Sequence, residues 1–257
     1  MIELERVSRL YGEKVAVADL DLTIPGGELF AFLGPNGAGK TTTIKMLVGL
    51  LRPSAGRVLL CGTDVVSDPQ AAARLLGYVP DQPYLYDKLT GREILRFIVD
   101  MHLIGHDEGA RRIEREIERF ELAEFIDELT ERYSHGMKQR LIFAAALLHD
   151  PQVLVVDEPM VGLDPKNSRL VKDLLRSKAR EGKTIFISTH LLSLAEEIAD
   201  RIGIIHRGEL RFLGTVGELE RQFERLDTSL EQLFLDMTDE NPGDAHAARN
   251  GSGPVSP

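Results

Sequence analysis

Residues 34–41 carry the clearest chemical meaning in this sequence and read Gly-Pro-Asn-Gly-Ala-Gly-Lys-Thr. They match the phosphate-binding pattern G-x-x-x-x-G-K-S/T in full. Glycines let consecutive backbone N–H groups approach phosphate oxygens. A lysine adds a full positive charge for the outer phosphates, and the threonine hydroxyl is placed to ligate magnesium. The segment predicts binding of ATP or a similar nucleotide with Mg²⁺, through Gly34, Pro35, Asn36, Gly37, Ala38, Gly39, Lys40 and Thr41.

Two adjacent carboxylates, Asp157 and Glu158, follow a second apolar segment at residues 153–156. In an open parallel sheet the carboxyl ends of strands face the ligand crevice, which places both acids beside the phosphate loop. We expect Asp157 to hold magnesium through water and Glu158 to act as general base on the attacking water. The alternative is an acidic pair that merely ends a strand, and the complete phosphate loop favours the functional interpretation.

The segments around these residues predict an α/β fold. Residues 29–33 are an apolar run that predicts a buried strand before the phosphate loop, and residues 40–51 predict a helix that ends at Arg52-Pro53. Later strands alternate with helices, which indicates a mainly parallel sheet covered on both faces. The predicted strands are 58–61, 76–80, 153–156, 184–188 and 202–206, and the predicted helices are 166–180 and 191–199.

The N-terminal region and the middle of the chain differ from this α/β pattern. Alternating apolar and polar residues at 2–7 and 15–24 predict a separate N-terminal β region, with Tyr11 in the loop between two half-exposed strands. Residues 84–150 are helical in pattern and predict an insertion into a core formed by 1–83 and 151–237. Residues 238–257 have almost no apolar side chains and predict a disordered tail.

Details within the helical insertion allow sharper predictions. Thr90 and Glu93 have the spacing of a capping box at the start of one helix. A second helix carries Ile113 and Ile117 on its apolar face. Arg112 and Glu116 stand four residues apart, and we expect them to pair on a solvated face.

Composition limits the function classes. The chain has 257 residues, 43% of them hydrophobic and 28% charged, which suits one large domain or two small ones. The net charge of -10 argues against a broad nucleic-acid-binding surface. The longest apolar run, 141–148, is too short to span a bilayer. Acidic residues near the N-terminus do not resemble a secretory signal, so we expect a cytoplasmic protein, in which the single Cys61 is a buried core residue.

The segment Tyr133-Ser134-His135-Gly136-Met137 precedes an apolar helix, and Ser134 is a natural N-cap. The segment resembles the L-S-G-G-Q signature of the ATP-binding subunit of ABC transporters, keeping Ser134 and Gly136 but differing at three of five positions. The order along the chain is also similar to the family: phosphate loop, glutamine-loop region, signature, Asp-Glu strand, Gly-Leu-Asp turn and histidine. The resemblance covers residues 1–237 and implies a P-loop NTPase core with an inserted α-helical subdomain.

The resemblance implies further roles. Tyr11 would stack on adenine, Thr42 would contact the α-phosphate and His190 the γ-phosphate, while Asp164 would belong to the D-loop. The family commonly has glutamine directly after the proline that ends the strand before the helical insertion. Here Asp81 occupies that position and Gln82 follows it, so either could reach magnesium, with Gln82 the assigned ligand.

The resemblance also implies partners. ATP would lie between the loop around Lys40 and Ser134 and Gly136 of a second copy, or of a homologous cassette, in a head-to-tail dimer that closes on ATP. A separate transmembrane permease would dock on the helical insertion and the loop near Gln82, Pro83 and Tyr84, at the cytoplasmic face of the membrane. Residues 77–81 and 133–140 resemble the corresponding segments of bacterial exporter cassettes whose permease is a separate small subunit. No direct nucleic-acid partner is expected.

Two alternative functions fit the sequence less well. Soluble ABC ATPases that act on DNA or ribosomes usually carry a long coiled-coil insertion, or two cassettes joined by basic linkers, and none is visible in the sequence. A regulatory cassette without hydrolysis would have a damaged catalytic acid or lysine. Both Glu158 and Lys40 are intact.

Overall fold

The computed structural model describes residues 1–82 and 84–223, and the predicted tail at 238–257 and the Pro83 part of the predicted docking loop lie outside them. In chain order the elements are β1 (Ile2–Tyr11), β2 (Lys14–Ile24), β3 (Leu29–Leu33), α1 (Lys40–Leu47), β4 (Ala55–Leu60), β5 (Thr63–Asp64), α2 (Pro69–Leu75), β6 (Leu76–Val79), α3 (Gly91–Met101), α4 (His106–Arg119), α5 (His135–Leu147), β7 (Val153–Asp157), α6 (Pro165–Arg180), β8 (Thr184–Thr189), α7 (Leu192–Ile198), β9 (Arg201–His206), β10 (Glu209–Gly214) and α8 (Val216–Phe223).

The larger sheet has six strands in the order β10-β9-β3-β8-β7-β6. All neighbouring pairs are parallel except β9 with β10. Phe32 of β3 is in register with Ser188 of β8, and Ser188 is in register with Asp157 of β7. The carboxyl ends of these three strands therefore lie at one edge of the sheet, as the sequence predicted.

A second, antiparallel sheet in the order β2-β1-β4-β5 forms the N-terminal β region. Alternate residues of the central strands of the larger sheet enter two hydrophobic clusters. Phe30 and Phe32 pack with Phe186 and with side chains of β1, β2 and α1. On the opposite face Leu29 and Leu33 pack in a cluster that includes the helices of the insertion, α6 and α7. The expected α/β fold is confirmed.

Helices α3, α4 and α5 lie between β6 and β7 in the chain, which is the predicted helical insertion. The capping box is present, because the Thr90 hydroxyl accepts from the N–H of Glu93 and the Glu93 carboxylate accepts from the N–H of Thr90. The division of the chain at residues 84 and 150 stays a prediction. Among the helices of the described residues, none is long and apolar enough to cross a bilayer.

Two local predictions about chain geometry were wrong. Helix α1 ends at Leu47 rather than residue 51, because Gly49 has a φ of +76° and its N–H turns back to the carbonyl oxygen of Met46. Tyr11 is the last residue of β1 rather than a loop residue. Its position at the strand end still places it beside the phosphate loop.

Two side-chain predictions were also wrong. Cys61 is exposed, because it lies in the turn after β4. Arg112 pairs with Glu108 at 2.7 Å instead of Glu116, an arrangement in which the acid precedes the base by one helical turn. Glu116 is fully buried and accepts from Arg119 at 2.7 Å and Arg115 at 3.1 Å.

Four elements were not predicted: α2, β5, β10 and α8. For α2 the sequence contains a clear start signal, since Asp68 caps the helix and Pro69 is its first residue. Strand β10 follows the tight turn at Arg207-Gly208 and pairs with β9 as a hairpin.

Candidate functional site

The phosphate loop joins β3 to α1 and is held by close backbone contacts. A Cβ atom on Gly34 would lie 2.4 Å from the carbonyl oxygen of Ile205, and one on Gly39 would lie 2.7 Å from that of Ala16. Gly39 also has a φ of +118°, which larger residues rarely adopt. Only glycine fits at both positions. Helix α1 begins without a side-chain cap, so the N–H groups of its first turn remain available to an anion.

Lys40 is 7% exposed, and its ammonium group lies inside this loop. Its Nζ donates to the carbonyl oxygens of Gly34 at 2.5 Å and Pro35 at 3.2 Å. Burial lowers the pKa of Lys40, while the charges of Glu158 and Asp157 act in the opposite direction. The lysine thus sits between the phosphate loop and the two carboxylates.

Asp157 is the last residue of β7 and is 5% exposed. Its Oδ1 accepts a hydrogen bond from the Ser188 hydroxyl. Burial raises the pKa of Asp157, the nearby charges of Asp81 and Glu158 add to the rise, and the Ser188 hydrogen bond and Lys40 reduce it. A cation beside Asp157 would offset the cost of keeping this carboxylate ionised.

Glu158 has a left-handed backbone, with a φ of +48°. Its N–H is shared between the carbonyl oxygen of Ser188 at 3.1 Å and the Ser188 hydroxyl at 3.2 Å. The imidazole Nδ1 of His190 lies 3.0 Å from Glu158 Oε1. Backbone outliers of this kind cost about 1–3 kcal/mol and concentrate at functional sites. The backbone of Glu158 is therefore fixed by Ser188 of β8, and its carboxylate is oriented by His190, which follows the same strand.

Lys40, Asp157 and Glu158 open into one cleft of about 610 Å³, and His190 is not among its described lining residues. The described residues that line it include Lys14, Val15, Ala16 and Arg207, for which the sequence suggested no binding role, and Asp81, one of the two candidate magnesium ligands. Gln82 is not among the described lining residues. The predicted site residues that line the cleft are Tyr11, Pro35, Asn36, Gly37, Gly39, Lys40, Thr41, Thr42, Asp157 and Glu158.

Gly34 and Ala38 support the loop instead of lining the cleft. The carbonyl oxygen of Gly34 accepts from Lys40, and that of Ala38 accepts from the N–H of Gly208 at 2.8 Å. Gly208 belongs to the turn between β9 and β10. The turn between β9 and β10 thus supports the phosphate loop. The sequence did not predict β10, and so it did not predict this contact.

Three predicted binding residues lie elsewhere in the described chain. Ser134 caps α5 by accepting from the N–H of Met137 at 3.3 Å, and Asp164 caps α6 by accepting from the N–H of Asn167 at 2.8 Å. Gly136 follows Ser134 in the first turn of α5. None of the three lines the cleft. Within one chain they therefore cannot complete a site around Lys40 without movement or a partner.

The donor set of the cleft suits magnesium. Thr41 and Asp157 both line it, and the burial that raises the pKa of Asp157 makes a nearby cation favourable. Within the described residues no cluster of three or more acidic, histidine or cysteine side chains could form a metal cage. Magnesium at phosphate sites commonly uses one or two protein ligands, with waters and phosphate oxygens completing its coordination.

Other residues missed from the sequence have recognisable roles. Ser188 bonds both Asp157 and Glu158, and its only sequence signal was its position at the end of a predicted strand. Lys14 follows the turn between β1 and β2, Arg207 lies in the turn between β9 and β10, and their approach to the cleft depends on how the two sheets meet. Tertiary packing, rather than local pattern, brings these side chains to the site.

Comparison with known proteins places this cleft in a family. A family model described as ABC transporter matches residues 17–161. The chain belongs to the ABC transporter family. The Daunorubicin resistance ATP-binding protein DrrA3 of Streptomyces coeruleorubidus is 37% identical over 233 residues, which cover 90% of this chain and 74% of that protein.

Two solved structures extend the similarity to this ABC subunit. A structure of the ATP binding subunit of an ABC transporter has a TM-score of 0.87 and 31% identity, covering 93% of this chain and all 100% of that one. The ATP-binding cassette MJ0796, solved as a dimer in a post-hydrolysis state with ADP and Pi, has a TM-score of 0.76 and 26% identity. That match covers 84% of this chain and 99% of that chain. The chain is thus an ABC ATPase that binds nucleotide.

Proposed function

We propose that this chain is the ATP-hydrolysing subunit of an ABC exporter and works by ATP-driven closure of a dimer. The observation that carries the proposal is the single cleft in which a complete phosphate loop meets Asp157 and Glu158. The direction of transport is supported by the relative from Streptomyces coeruleorubidus, which is named for daunorubicin resistance. Resistance by a transporter subunit is most simply explained by removal of a toxic compound from the cell.

In the proposed site the phosphate loop and the first turn of α1 bind the phosphates. Tyr11 stacks on adenine, Thr42 contacts the α-phosphate and Lys40 the outer phosphates. Thr41 and Asp157 hold magnesium, with Gln82 or Asp81 as a further ligand, and Asp81 is the one that already lines the cleft. The metal, when bound, supplies positive charge that offsets the charge developing on the phosphate oxygens.

Glu158 acts as the general base in the proposed reaction. Its carboxylate accepts a proton from water as the water oxygen attacks the γ-phosphorus, and the bond to the bridging oxygen of ADP breaks. The shared hydrogen bonds from the Glu158 N–H to Ser188 fix the backbone of the base. His190, whose Nδ1 lies 3.0 Å from its Oε1, orients the carboxylate and would contact the γ-phosphate of a bound nucleotide.

A second copy completes the proposed site. Ser134 and Gly136 begin α5, whose N-terminus is the positive end of the helix dipole and suits a phosphate. These residues and Asp164 do not line their own cleft, which supports a role at the cleft of a head-to-tail partner. Loss of the γ-phosphate by hydrolysis would remove contacts that hold the two copies together.

The proposed permease partner docks on the helical insertion. Tyr84 is 84% exposed and meets Tyr86 edge-on, with ring centroids 6.4 Å apart. Phe97 and Met101 are further exposed apolar residues on α3. Exposed aromatic residues that form a patch are typical of protein interfaces. Through this contact the subunit would be held at the cytoplasmic face of the membrane.

Mixing two inactive variants tests the composite site. Lys40→Ala removes the phosphate-loop lysine but keeps the signature, whereas Ser134→Asp keeps the helix cap but repels the γ-phosphate. Each variant alone is expected to have little ATPase activity. Mixed in equal amounts they should recover part of it, because one site of the mixed dimer is intact. A mixture no more active than its components would contradict a site shared between chains.

Reconstitution tests the export assignment. The subunit would be co-purified with its permease, sought first among multispanning proteins encoded beside it, and inserted into liposomes with the ATP sites facing outward. ATP-dependent accumulation of a candidate compound inside these vesicles is the expected result for an exporter. ATP-dependent loss of preloaded compound would reverse the assigned direction.

A further inference from the structure

Tyr11 has a second neighbour outside the cleft. The guanidinium carbon of Arg9 lies 4.7 Å from the centroid of the Tyr11 ring. Tyr11 lines the cleft and is 47% exposed, whereas Arg9 is partly buried and is not among the described lining residues. The guanidinium thus covers one face of a ring that also lines the cleft.

Arg9 is itself anchored. Its Nη1 donates to the carbonyl oxygen of Arg52 at 2.9 Å, in the segment that follows α1. The neighbouring backbone is fixed too, because the N–H of Leu10 donates to the Ser54 hydroxyl at 3.1 Å and the N–H of Ser54 donates to the carbonyl oxygen of Ser8 at 2.8 Å. The end of β1 and the segment after α1 therefore form one support behind Tyr11.

The Arg9 Nε atom is buried and has no hydrogen-bond partner. A guanidinium deprived of water gains more from the face of an aromatic ring than an exposed one does. The contact with the Tyr11 ring thus compensates the Arg9 guanidinium for the hydrogen bond that its Nε lacks. Removal of the guanidinium would free the tyrosine ring to turn at the rim of the cleft.

We propose that Arg9 is a positioning residue for the nucleotide base, which acts by holding the Tyr11 ring in its stacking orientation before the nucleotide arrives. The inference rests on the proposed stacking of adenine on Tyr11. Through Tyr11, Arg9 would act on the planar base of the nucleotide and not on its phosphates. A side chain already fixed loses less freedom on binding, and this effect corresponds to roughly 3- to 10-fold in affinity for one immobilised side chain.

The alternative is that Arg9 attracts the nucleotide by charge alone. Charge would act on any phosphate compound, whereas positioning of Tyr11 acts only on a compound with a base. Arginine and lysine also differ here, because only the planar guanidinium stacks on a ring. These differences separate the two explanations.

Calorimetry on the full chain provides the test, with ADP and inorganic pyrophosphate as ligands. Arg9→Met should weaken ADP binding about 3- to 10-fold and leave pyrophosphate binding unchanged. Arg9→Lys should behave like Arg9→Met. Arg6→Met, on the same strand but exposed, is the matched control and should bind ADP like the native chain. Equal weakening for both ligands, or no weakening for ADP, would overturn the inference.

A double-mutant cycle with Tyr11→Ala completes the test. If Arg9 acts through the ring, Arg9→Met should change ADP affinity by less than about twofold when Tyr11 is already alanine. A full effect in that background would overturn the inference. If Tyr11→Ala alone leaves ADP affinity unchanged, the proposed adenine contact fails and the inference with it. If Tyr11→Ala weakens binding but Arg9→Met does not, only the inference fails.

Discussion

His190 and Glu158 lie side by side at the ends of β8 and β7, with 3.0 Å between the imidazole Nδ1 and the carboxylate Oε1. The parallel register of the two strands creates this contact, since Asp157 is aligned with Ser188 and the next residues follow at the same edge. Glu158 makes this contact from a left-handed backbone, with a φ of +48°. The proposed base is therefore oriented by the sheet before any nucleotide binds.

Replacing Glu158 with glutamine tests its proposed role. The amide is nearly isosteric but cannot accept a proton, so turnover should fall by about 10² to 10⁴, as is typical for loss of a general base. ATP affinity should be retained, because the phosphate loop is intact. Steady-state ATPase assays and calorimetry measure the two quantities separately. Turnover within about threefold of the native value would remove Glu158 from this role.

Replacing Lys40 with alanine should weaken ATP binding by about 10- to 100-fold, the usual range for one hydrogen bond from a charged group. The same change also removes two hydrogen bonds to loop carbonyl oxygens, so the loop loses part of its support. Lys45→Ala is the matched control, because Lys45 is an exposed lysine of the same helix. Unchanged ATP affinity in Lys40→Ala, measured by calorimetry, would count against the phosphate-loop interpretation.

The phosphate loop and the strand that ends in Asp157 could be predicted from the sequence because their determinants are local. A glycine spacing, an apolar run or a capping box is complete within a dozen residues. Helix α1 shows the limit even there, since Gly49 ends it before the Arg52-Pro53 signal is reached. Proline is the stronger breaker, but the glycine comes first along the chain.

Other features depend on contacts between distant segments. Glu116 was predicted to lie on a solvated face, yet it is buried, because the side of α4 that carries it with Ile113 and Ile117 packs against α3 and α5. The support of Tyr11 by Arg9 required the segment after α1 to return beside β1. The periodicity of the sequence does not predict a contact between these two segments.

Gly162 and His135 offer a third prediction. Gly162 has a φ of +74°, and an added Cβ would lie 2.2 Å from His135 Cδ2. Gly162→Ala should therefore displace the His135 imidazole at the start of α5 and reduce ATPase activity. The left-handed backbone should add about 1–2 kcal/mol of strain and lower the melting temperature by several degrees.

Gly182→Ala is the matched control for this effect. Gly182 has a φ of +89° but no atom within 4 Å of an added Cβ, so the variant carries the strain without the collision. It should lower the melting temperature similarly and keep ATPase activity. Combining His135→Gly with Gly162→Ala should restore part of the activity by removing the collision. Full ATPase activity in Gly162→Ala alone would contradict this prediction.

The stacked pair His149 and His102, with ring centroids 3.8 Å apart, predicts a pH-dependent stability. His149 Nε2 donates to the carbonyl oxygen of Leu76 at 3.0 Å, and its Nδ1 is buried without a partner. Burial lowers the pKa of His149 to about 4, and the nearby charge of Arg112 and of a protonated His102 adds to the fall. The pKa of His102 is also lowered by burial, with a smaller contribution from Arg74.

Between pH 6.5 and about 4 the unfolded chain binds a proton at His149 that the folded chain does not. The free energy of unfolding should therefore fall as the pH falls through this range, and His149 should contribute no pH dependence above it. From pH 7.5 to 5 the loss due to His149 is about 2 kcal/mol. Urea denaturation at both pH values should show a smaller loss in His149→Gln than in the native chain. The exposed His106→Gln is the control and should lose as much stability as the native chain, and an equal loss in His149→Gln would contradict the assignment.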